Sequence, residues 1–236
     1  MVAATRPFGP TTRIVFRLTR WALALAVVLT GIAMFLYPGG TFLDPARPGY
    51  SFFQNSLSDL GSTVAWSGRA NRGSSFHLAA SLILVLAGSA GFAALIRVYS
   101  SWPRTKEFVR IAGALLLVSA ASLTGVALSP LDRHPALHGR FTLLAVISFP
   151  MATLLLGLAA ARAPLLRRRV AICWFVLTGL VVTWTAAMLW LRPTNDLQLA
   201  IPATLQKLVA LALVGTLMLQ GSEADRARAA HQRSES

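Results

Sequence analysis

The chain is organised around six long apolar segments, separated by shorter stretches that hold most of its polar and charged residues. Each segment has the roughly 20 residues that a helix needs to cross about 30 Å of hydrocarbon. The pattern predicts an all-α polytopic membrane bundle of about six transmembrane helices. The predicted spans are residues 14–37, 75–98, 108–129, 138–161, 170–191 and 199–219.

The stretches between the spans predict the domain organisation. Residues 1–220 are expected to form a single six-helix transmembrane domain, with a long outer loop at 38–74 that is rich in Gly, Pro and aromatic residues. Such a loop should fold back on the bundle at the membrane interface, where Tyr and Trp prefer to lie. The polar residues 221–236 predict a disordered cytoplasmic tail. The first apolar run is long enough for a full span and has no small-residue cleavage site after it, so it is expected to be a retained helix.

The composition is typical of a chain embedded in lipid. Of its 236 residues, 55% are hydrophobic and 13% are charged, whereas a soluble domain carries about 25% charged residues. The single cysteine, Cys173, lies inside an apolar run. A disulfide or a cysteine-based metal cluster within this sequence is therefore excluded.

The basic residues predict the orientation. The formal net charge of +14 could suggest a nucleic-acid partner, but the Lys and Arg residues collect beside alternate ends of the spans. Fifteen of them lie at the N-terminal segment, the second-to-third loop, the fourth-to-fifth loop and the tail, and six lie on the other side. Because cytoplasmic loops carry the excess of Lys and Arg, both termini are predicted to be cytoplasmic. The charge thus indicates a multi-pass protein of the cell membrane with membrane lipids as partners, and no nucleic acid.

The predicted outer side holds an unusual set of ionisable residues. Asp59 lies in the long loop, His77 in the first turn of the second span, Asp132 before the fourth span and His138 in that span's first turn. Ionisable groups at a membrane indicate function by default, so we expect these four to converge at the outer mouth. Imidazole and carboxylate bind Zn²⁺, which makes His77, His138 and Asp132 candidate metal ligands. A metal-free polar or proton-handling site and a structural network remain alternatives.

One cation is predicted to lie inside a span. Lys207 is about eight residues into the sixth span, which places it roughly 12 Å below the outer boundary. A charge near the bilayer centre costs about 2.5–3.5 kcal/mol on insertion scales. We therefore expect Lys207 to contact Asp59 as a buried ion pair, or a neighbouring loop acceptor such as Asn55. Either contact would hold the outer loop against the sixth span.

Three motifs carry a resemblance to a known family. They are the segment Asn55-Ser-Leu-Ser-Asp-Leu-Gly61, the stretch Pro130-x-Asp132 with His138-Gly139, and the pair Gln206-Lys207. These motifs resemble those of the bacterial and archaeal family called domain of unknown function 998 (DUF998), over roughly residues 14–220. The chain is similar, more distantly, to the eukaryotic Frag1/DRAM/Sfk1 membrane proteins. The resemblance implies a six-helix membrane fold and little about chemistry, because the family has no established activity.

Two functions of different classes fit the sequence, which leaves open whether the protein is an enzyme. The first is a non-enzymatic membrane protein that binds a lipid or a membrane-protein partner through a polar site at its outer mouth. The second is a metal-dependent zinc hydrolase that acts on a lipid or an amide at the outer interface, with Asp59, His77, Asp132 and His138 as candidate catalytic residues. A haem protein would need a second layer of histidines, and a transporter would need paired discontinuous helices. The sequence shows neither feature.

Overall fold

The computed structural model describes residues 10–88, 90–100, 103–163 and 168–235, and the regular elements in these ranges are all helices. They are α1 (Pro10–Phe35), α2 (Leu57–Leu60), α3 (Arg72–Gly88), α4 (Ala90–Ser100), α5 (Lys106–Leu128), α6 (Pro135–Arg162), α7 (Arg168–Trp190) and α8 (Asp196–Glu235). The all-α fold class predicted from the sequence is confirmed.

Six stretches of the described chain are long and apolar enough to cross a membrane. They are Ile14–Phe35, Arg72–Ala94, Lys106–Leu128, Pro135–Arg162, Arg168–Trp190 and Asp196–Glu223, with a mean hydropathy between 1.6 and 2.2. The prediction of a six-span, multi-pass integral membrane protein is confirmed. The predicted boundaries agree with the observed ones to within a few residues, because the switch from apolar to polar sequence marks where each helix leaves the membrane.

Successive spans lie side by side in the bundle. The helix α1 packs on α3, α5 on α6, α6 on α7 and α7 on α8, and α1 also contacts α8. Near the end of α8, Gly221 lies beside Phe16 and Arg20 in the first half of α1. The first half of α1 and the last part of the sixth span are therefore at one end of the bundle. We call this the inner end and the opposite one the outer end, following the orientation predicted from charge.

Close packing of α6 against α5 and α7 depends on two glycines. A Cβ atom at Gly125 of α5 would overlap the ring of Phe141 in α6, and one at Gly157 of α6 would overlap the ring of Phe175 in α7. Small residues let helices approach closely in a membrane, where van der Waals packing drives association. These two positions therefore hold α6 between its neighbours.

A polar network joins three helices near the inner end. Trp174 Nε1 donates to Gln220 Oε1 at 2.8 Å, and Gln220 Nε2 donates to the hydroxyl of Tyr99 at 2.6 Å. These three side chains are fully buried. One turn away, Arg169 forms an ion pair with the buried Glu223. Because buried polar groups need partners, the network fixes α4, α7 and α8 relative to one another.

The C-terminal segment differs from its sequence prediction. The sequence predicts disorder from residue 221, whereas α8 continues to Glu235, and Ser236 lies outside the described residues. The segment is polar, but it is rich in Ala and Arg, which have high helix propensity. The last helix therefore extends past the end of its membrane span at Glu223.

Candidate functional site

Residues 36–71, between α1 and α3, fold over the outer end of the bundle, and we call this segment the outer cap. At its centre is the single turn α2, where Ser56 and Asp59 form a capping box in which each side chain accepts a hydrogen bond from the other's backbone N–H. Gly40 has a φ of +87°, and a Cβ atom there would overlap the backbone of Ser67. This turn of the cap requires glycine. The long outer loop is therefore an ordered element.

Asp59 lies inside the cap, where only 6% of the residue is exposed. Its carboxylate accepts hydrogen bonds from Ser56 N at 2.7 Å, from Trp66 Nε1 at 3.1 Å and from Asn55 Nδ2 at 3.2 Å. Burial raises the pKa of Asp59 above its ordinary value, and the three hydrogen bonds oppose that rise. With donors from two parts of the segment, residues 55–56 and Trp66, the carboxylate orders the cap.

Lys207 joins α8 to the cap. Its Nζ donates to the backbone oxygen of Asn55 at 2.6 Å and to that of Ala203, one turn earlier in α8, at 2.9 Å. The ammonium lies 5.4 Å from the ring centroid of Tyr50 and 5.2 Å from that of Phe52, both within the range of cation–π attraction. This buried cation is therefore surrounded by carbonyl oxygens and aromatic faces.

The connection between Lys207 and Asp59 is indirect. Within the described part of the chain the two form no direct salt bridge, and Asn55 lies between them. The backbone oxygen of Asn55 accepts from Lys207, while its side-chain amide donates to Asp59. Of the two acceptors named from the sequence, Lys207 contacts Asn55. The buried ion pair expected between Lys207 and Asp59 is replaced by this three-residue chain.

A second residue of α8 binds the cap beside Lys207. The Oε1 atom of Gln206 accepts a hydrogen bond of 2.7 Å from the backbone N–H of Leu57, the first residue of α2. The first N–H groups of a helix have no partner within that helix, and Gln206 satisfies one of them. The sequence marked Gln206 only as part of a motif, because its contact depends on where the cap folds.

His138 links the start of α6 to the cap. Its Nδ1 lies 2.7 Å from the backbone oxygen of Ser129, and its Nε2 lies 3.3 Å from Oγ of Ser58. Because a carbonyl oxygen only accepts, Nδ1 carries a proton and donates to Ser129. In the neutral imidazole, Nε2 then accepts from the hydroxyl of Ser58. Both ring nitrogens of this buried histidine are occupied by protein partners.

Asp132 binds the cap from the loop between α5 and α6. Its carboxylate accepts hydrogen bonds from Thr63 N at 2.9 Å, from the hydroxyl of Thr63 and from Val64 N at 3.1 Å. Partial burial opposes ionisation, but the hydrogen bonds outweigh it and hold the pKa of Asp132 below its ordinary value. Arg133 adds a hydrogen bond of 3.0 Å from Nε to the hydroxyl of Thr63. An ionised carboxylate thus holds residues 63–64 at the start of α6.

His77 makes its hydrogen bond and its ring contact within its own helix, and not with the other three candidates. Its Nδ1 lies 2.8 Å from the backbone oxygen of Gly73 in its own helix, and its ring packs edge-on against Phe76 with 5.5 Å between centroids. Across the described residues, no group of three His, Cys, Asp or Glu side chains could hold a metal ion. Asp59, Asp132 and His138 all serve the cap, but through separate contacts. The residues therefore do not fit the zinc site that the sequence suggested.

Two residues that sequence reasoning missed hold the other side of α2. Asn71 Nδ2 lies within 3.3 Å of the backbone oxygens of Asp59, Leu60 and Ser62, and Ser74 Oγ donates to Leu60 at 3.1 Å. Both side chains are fully buried at the start of α3. Asn and Ser are common at helix starts, so nothing in the sequence distinguished this pair from ordinary capping residues.

No family model, no curated protein and no solved structure matches this chain. The resemblance to the DUF998 family therefore rests on the three sequence motifs alone. In the fold, all three motifs contribute to contacts between the cap and the bundle, through Asn55, Asp132, His138 and Lys207. The function is inferred from this arrangement.

Proposed function

We propose that this integral membrane protein binds a lipid at its outer face, through the surface of the outer cap. The observation that carries the proposal is a contrast within the cap, where the polar side chains of Asn55 and Asp59 are buried and large aromatic side chains are exposed. The exposed aromatic residues, with exposed fractions from 39% to 61%, are Phe42, Phe52, Phe53 and Trp66.

The position of this aromatic surface favours the membrane interface. The cap connects the outer ends of two spans, at Phe35 and Arg72. Its aromatic rings are therefore expected at the level of the lipid headgroups, a region that aromatic side chains prefer. A lipid that fully buries one such ring would gain about 1.5–3 kcal/mol of binding free energy from that contact. Exposed arginines on the cap, Arg47 and Arg69, suit the phosphate groups of the same lipids.

The alternatives from the sequence have less support. A membrane-protein partner could cover the same aromatic surface, and the test below separates it from lipid. No contact of the described residues supports the zinc hydrolase, because Asp132 and His138 already bind protein groups and His77 bonds within its own helix. An interface that binds lipid needs neither an open coordination position nor a nucleophilic water.

The test is a paired substitution on the full-length protein, Phe42→Ser with Phe53→Ser. The matched control is Phe76→Ser, which removes a phenylalanine that is 70% exposed on α3, outside the cap. Native mass spectrometry of the detergent-solubilised protein, titrated with phosphatidylglycerol, counts the bound lipids. We expect the paired variant to bind about tenfold more weakly, while the control resembles wild type.

Equal lipid binding by all three proteins would contradict the proposal. Loss of a co-purifying membrane protein from the paired variant, with lipid binding unchanged, would contradict it in favour of a protein partner. Folding of each variant is checked by its thermal unfolding, since exposed residues are expected to change stability little.

A further inference from the structure

An apolar groove of about 240 Å³ lies between α6 and α7. On α6 it is lined by Val146 and Pro150, and on α7 chiefly by Val182, Ala186 and Trp190. The groove shares no residue with the outer cap. Its walls are almost entirely apolar, so at hydrocarbon depth an apolar ligand can occupy it without desolvating a polar group.

Pro150 lies inside α6 and forms part of the groove's wall. Proline has no backbone N–H and cannot donate to the carbonyl of Val146, one turn earlier in α6, and both residues line the groove. Across from them, α7 presents Thr185 and Ala186, whose small side chains leave the space unfilled. The hydroxyl of Thr185 donates to the backbone oxygen of Val181 at 2.8 Å. The one polar side chain in the α7 wall therefore needs no partner from a ligand.

The length of the groove matches one leaflet of a bilayer. Val182 and Trp190 are about 12 Å apart along α7 at 1.5 Å per residue, and Trp190 is the last residue of that helix. Half of a hydrocarbon core of about 30 Å is roughly 15 Å. The groove therefore runs from the outer interface to near the bilayer midplane.

These dimensions favour an acyl chain over a partner helix. A transmembrane helix would cross both leaflets, whereas the groove covers one. A flexible lipid chain can fill a space of this size and length.

The outer end of the groove carries groups that suit a lipid headgroup. Trp190 is 83% exposed there, and tryptophan favours the membrane interface. Arg192 lies two residues further on, is exposed, and forms no hydrogen bond or ion pair within the described residues. Its guanidinium is therefore available to a phosphate, which it can bind through two parallel hydrogen bonds.

We propose that the groove between α6 and α7 binds one phospholipid of the leaflet at the capped end. An acyl chain lies along Pro150, Val182 and Ala186, and the phosphate lies beside Arg192. This site does not depend on the function proposed for the cap, because the two share no residue.

The test compares Val182→Phe, which fills the groove, with Val176→Phe. The two valines are on the same helix and are 53% and 55% exposed, but Val176 lies outside the groove. Native mass spectrometry of the full-length protein, titrated with phosphatidylglycerol, measures each binding step. We expect Val182→Phe to lose one bound lipid or to bind it at least about tenfold more weakly, and Val176→Phe to resemble wild type.

Arg192→Gln provides a second measurement that leaves the groove's packing intact. We expect it to weaken binding of the same lipid several-fold, while the paired cap variant Phe42→Ser with Phe53→Ser leaves this lipid in place. Wild-type binding by both Val182→Phe and Arg192→Gln would overturn the proposal. So would a change in the oligomeric mass of Val182→Phe with no change in lipid count, because the groove would then be a contact between two copies of the chain.

Discussion

Lys207 in the last span donates a hydrogen bond of 2.6 Å from Nζ to the backbone oxygen of Asn55 in the first outer loop, across 152 positions of the chain. The contact serves both partners. A cation inside a membrane span needs acceptors, and the cap supplies one that is fully buried. The cap in turn gains an attachment to α8 that does not depend on the helices next to it in sequence.

This contact predicts a large loss of stability on Lys207→Ala. The substitution leaves the buried oxygen of Asn55 without its charged donor, which we expect to lower the free energy of unfolding by about 2–3 kcal/mol. The control Arg140→Ala removes an exposed arginine on α6. It should change the free energy of unfolding by no more than about 0.5 kcal/mol. Denaturant-induced unfolding in detergent measures both. Equal effects of the two substitutions would contradict the contact.

The two histidines are predicted to behave differently. His138→Ala leaves the backbone oxygen of Ser129 and the hydroxyl of Ser58 without their hydrogen-bond partner. It should lower the free energy of unfolding by about 1–3 kcal/mol. His77→Ala removes a half-exposed ring whose hydrogen bond goes to its own helix. It should lower the free energy of unfolding by less than about 1 kcal/mol. Denaturant-induced unfolding of the two variants measures this difference. Because both histidines bond to protein groups, a zinc chelator is expected to leave the stability of the wild type unchanged. Stoichiometric zinc in purified wild type, lost in both variants, would instead establish a shared metal site.

Asp132 is predicted to add a pH-dependent term to stability. Its folded-state pKa lies below the ordinary value of 3.8, so the ionised form is favoured by folding. The stabilisation is complete above that ordinary value and is lost as the pH falls through the lowered folded-state pKa. The difference in melting temperature between wild type and Asp132→Asn should be constant from about pH 7 to pH 5 and shrink towards about pH 3. A difference that grows on acidification would have the wrong sign.

The orientation stays a prediction, and the structure indicates where to test it. In a Cys173→Ala background, Ala46→Cys places a thiol on the exposed surface of the cap, and Glu107→Cys places one at the exposed start of α5 on the inner end. An impermeant thiol reagent added to intact cells should label the first variant and not the second. Labelling of Glu107→Cys alone would reverse the orientation derived from the basic residues.

Hydropathy predicts depth in the membrane, but it does not predict the rotation of a helix about its axis. The sequence placed His77 and His138 near the starts of two spans that begin at the outer end, and the structure agrees. It could not show that His77 turns towards Gly73 of its own helix while His138 is buried against Ser129. The convergence of the two histidines was inferred from depth alone, and their hydrogen bonds go to different partners.

The partner of Lys207 illustrates a second limit of the sequence. A buried cation requires an acceptor, and the sequence offered both Asp59 and Asn55 as candidates. The capping box at α2 uses the carboxylate of Asp59 for backbone and side-chain donors of the cap itself. This leaves the backbone oxygen of Asn55 facing α8, an outcome that follows only from the three-dimensional fold of the cap.

Hydrogen–deuterium exchange tests most directly the central claim that the outer cap is a folded element held on the bundle by α8. In wild type, the backbone amide of Leu57 is bonded to Gln206 and that of Thr63 to Asp132, so residues 55–64 should exchange slowly. In Lys207→Ala, a loss of about 2 kcal/mol predicts exchange about 30-fold faster in this segment, with Arg140→Ala unchanged. Fast exchange of residues 55–64 in wild type, or equally slow exchange in wild type and Lys207→Ala, would contradict the account.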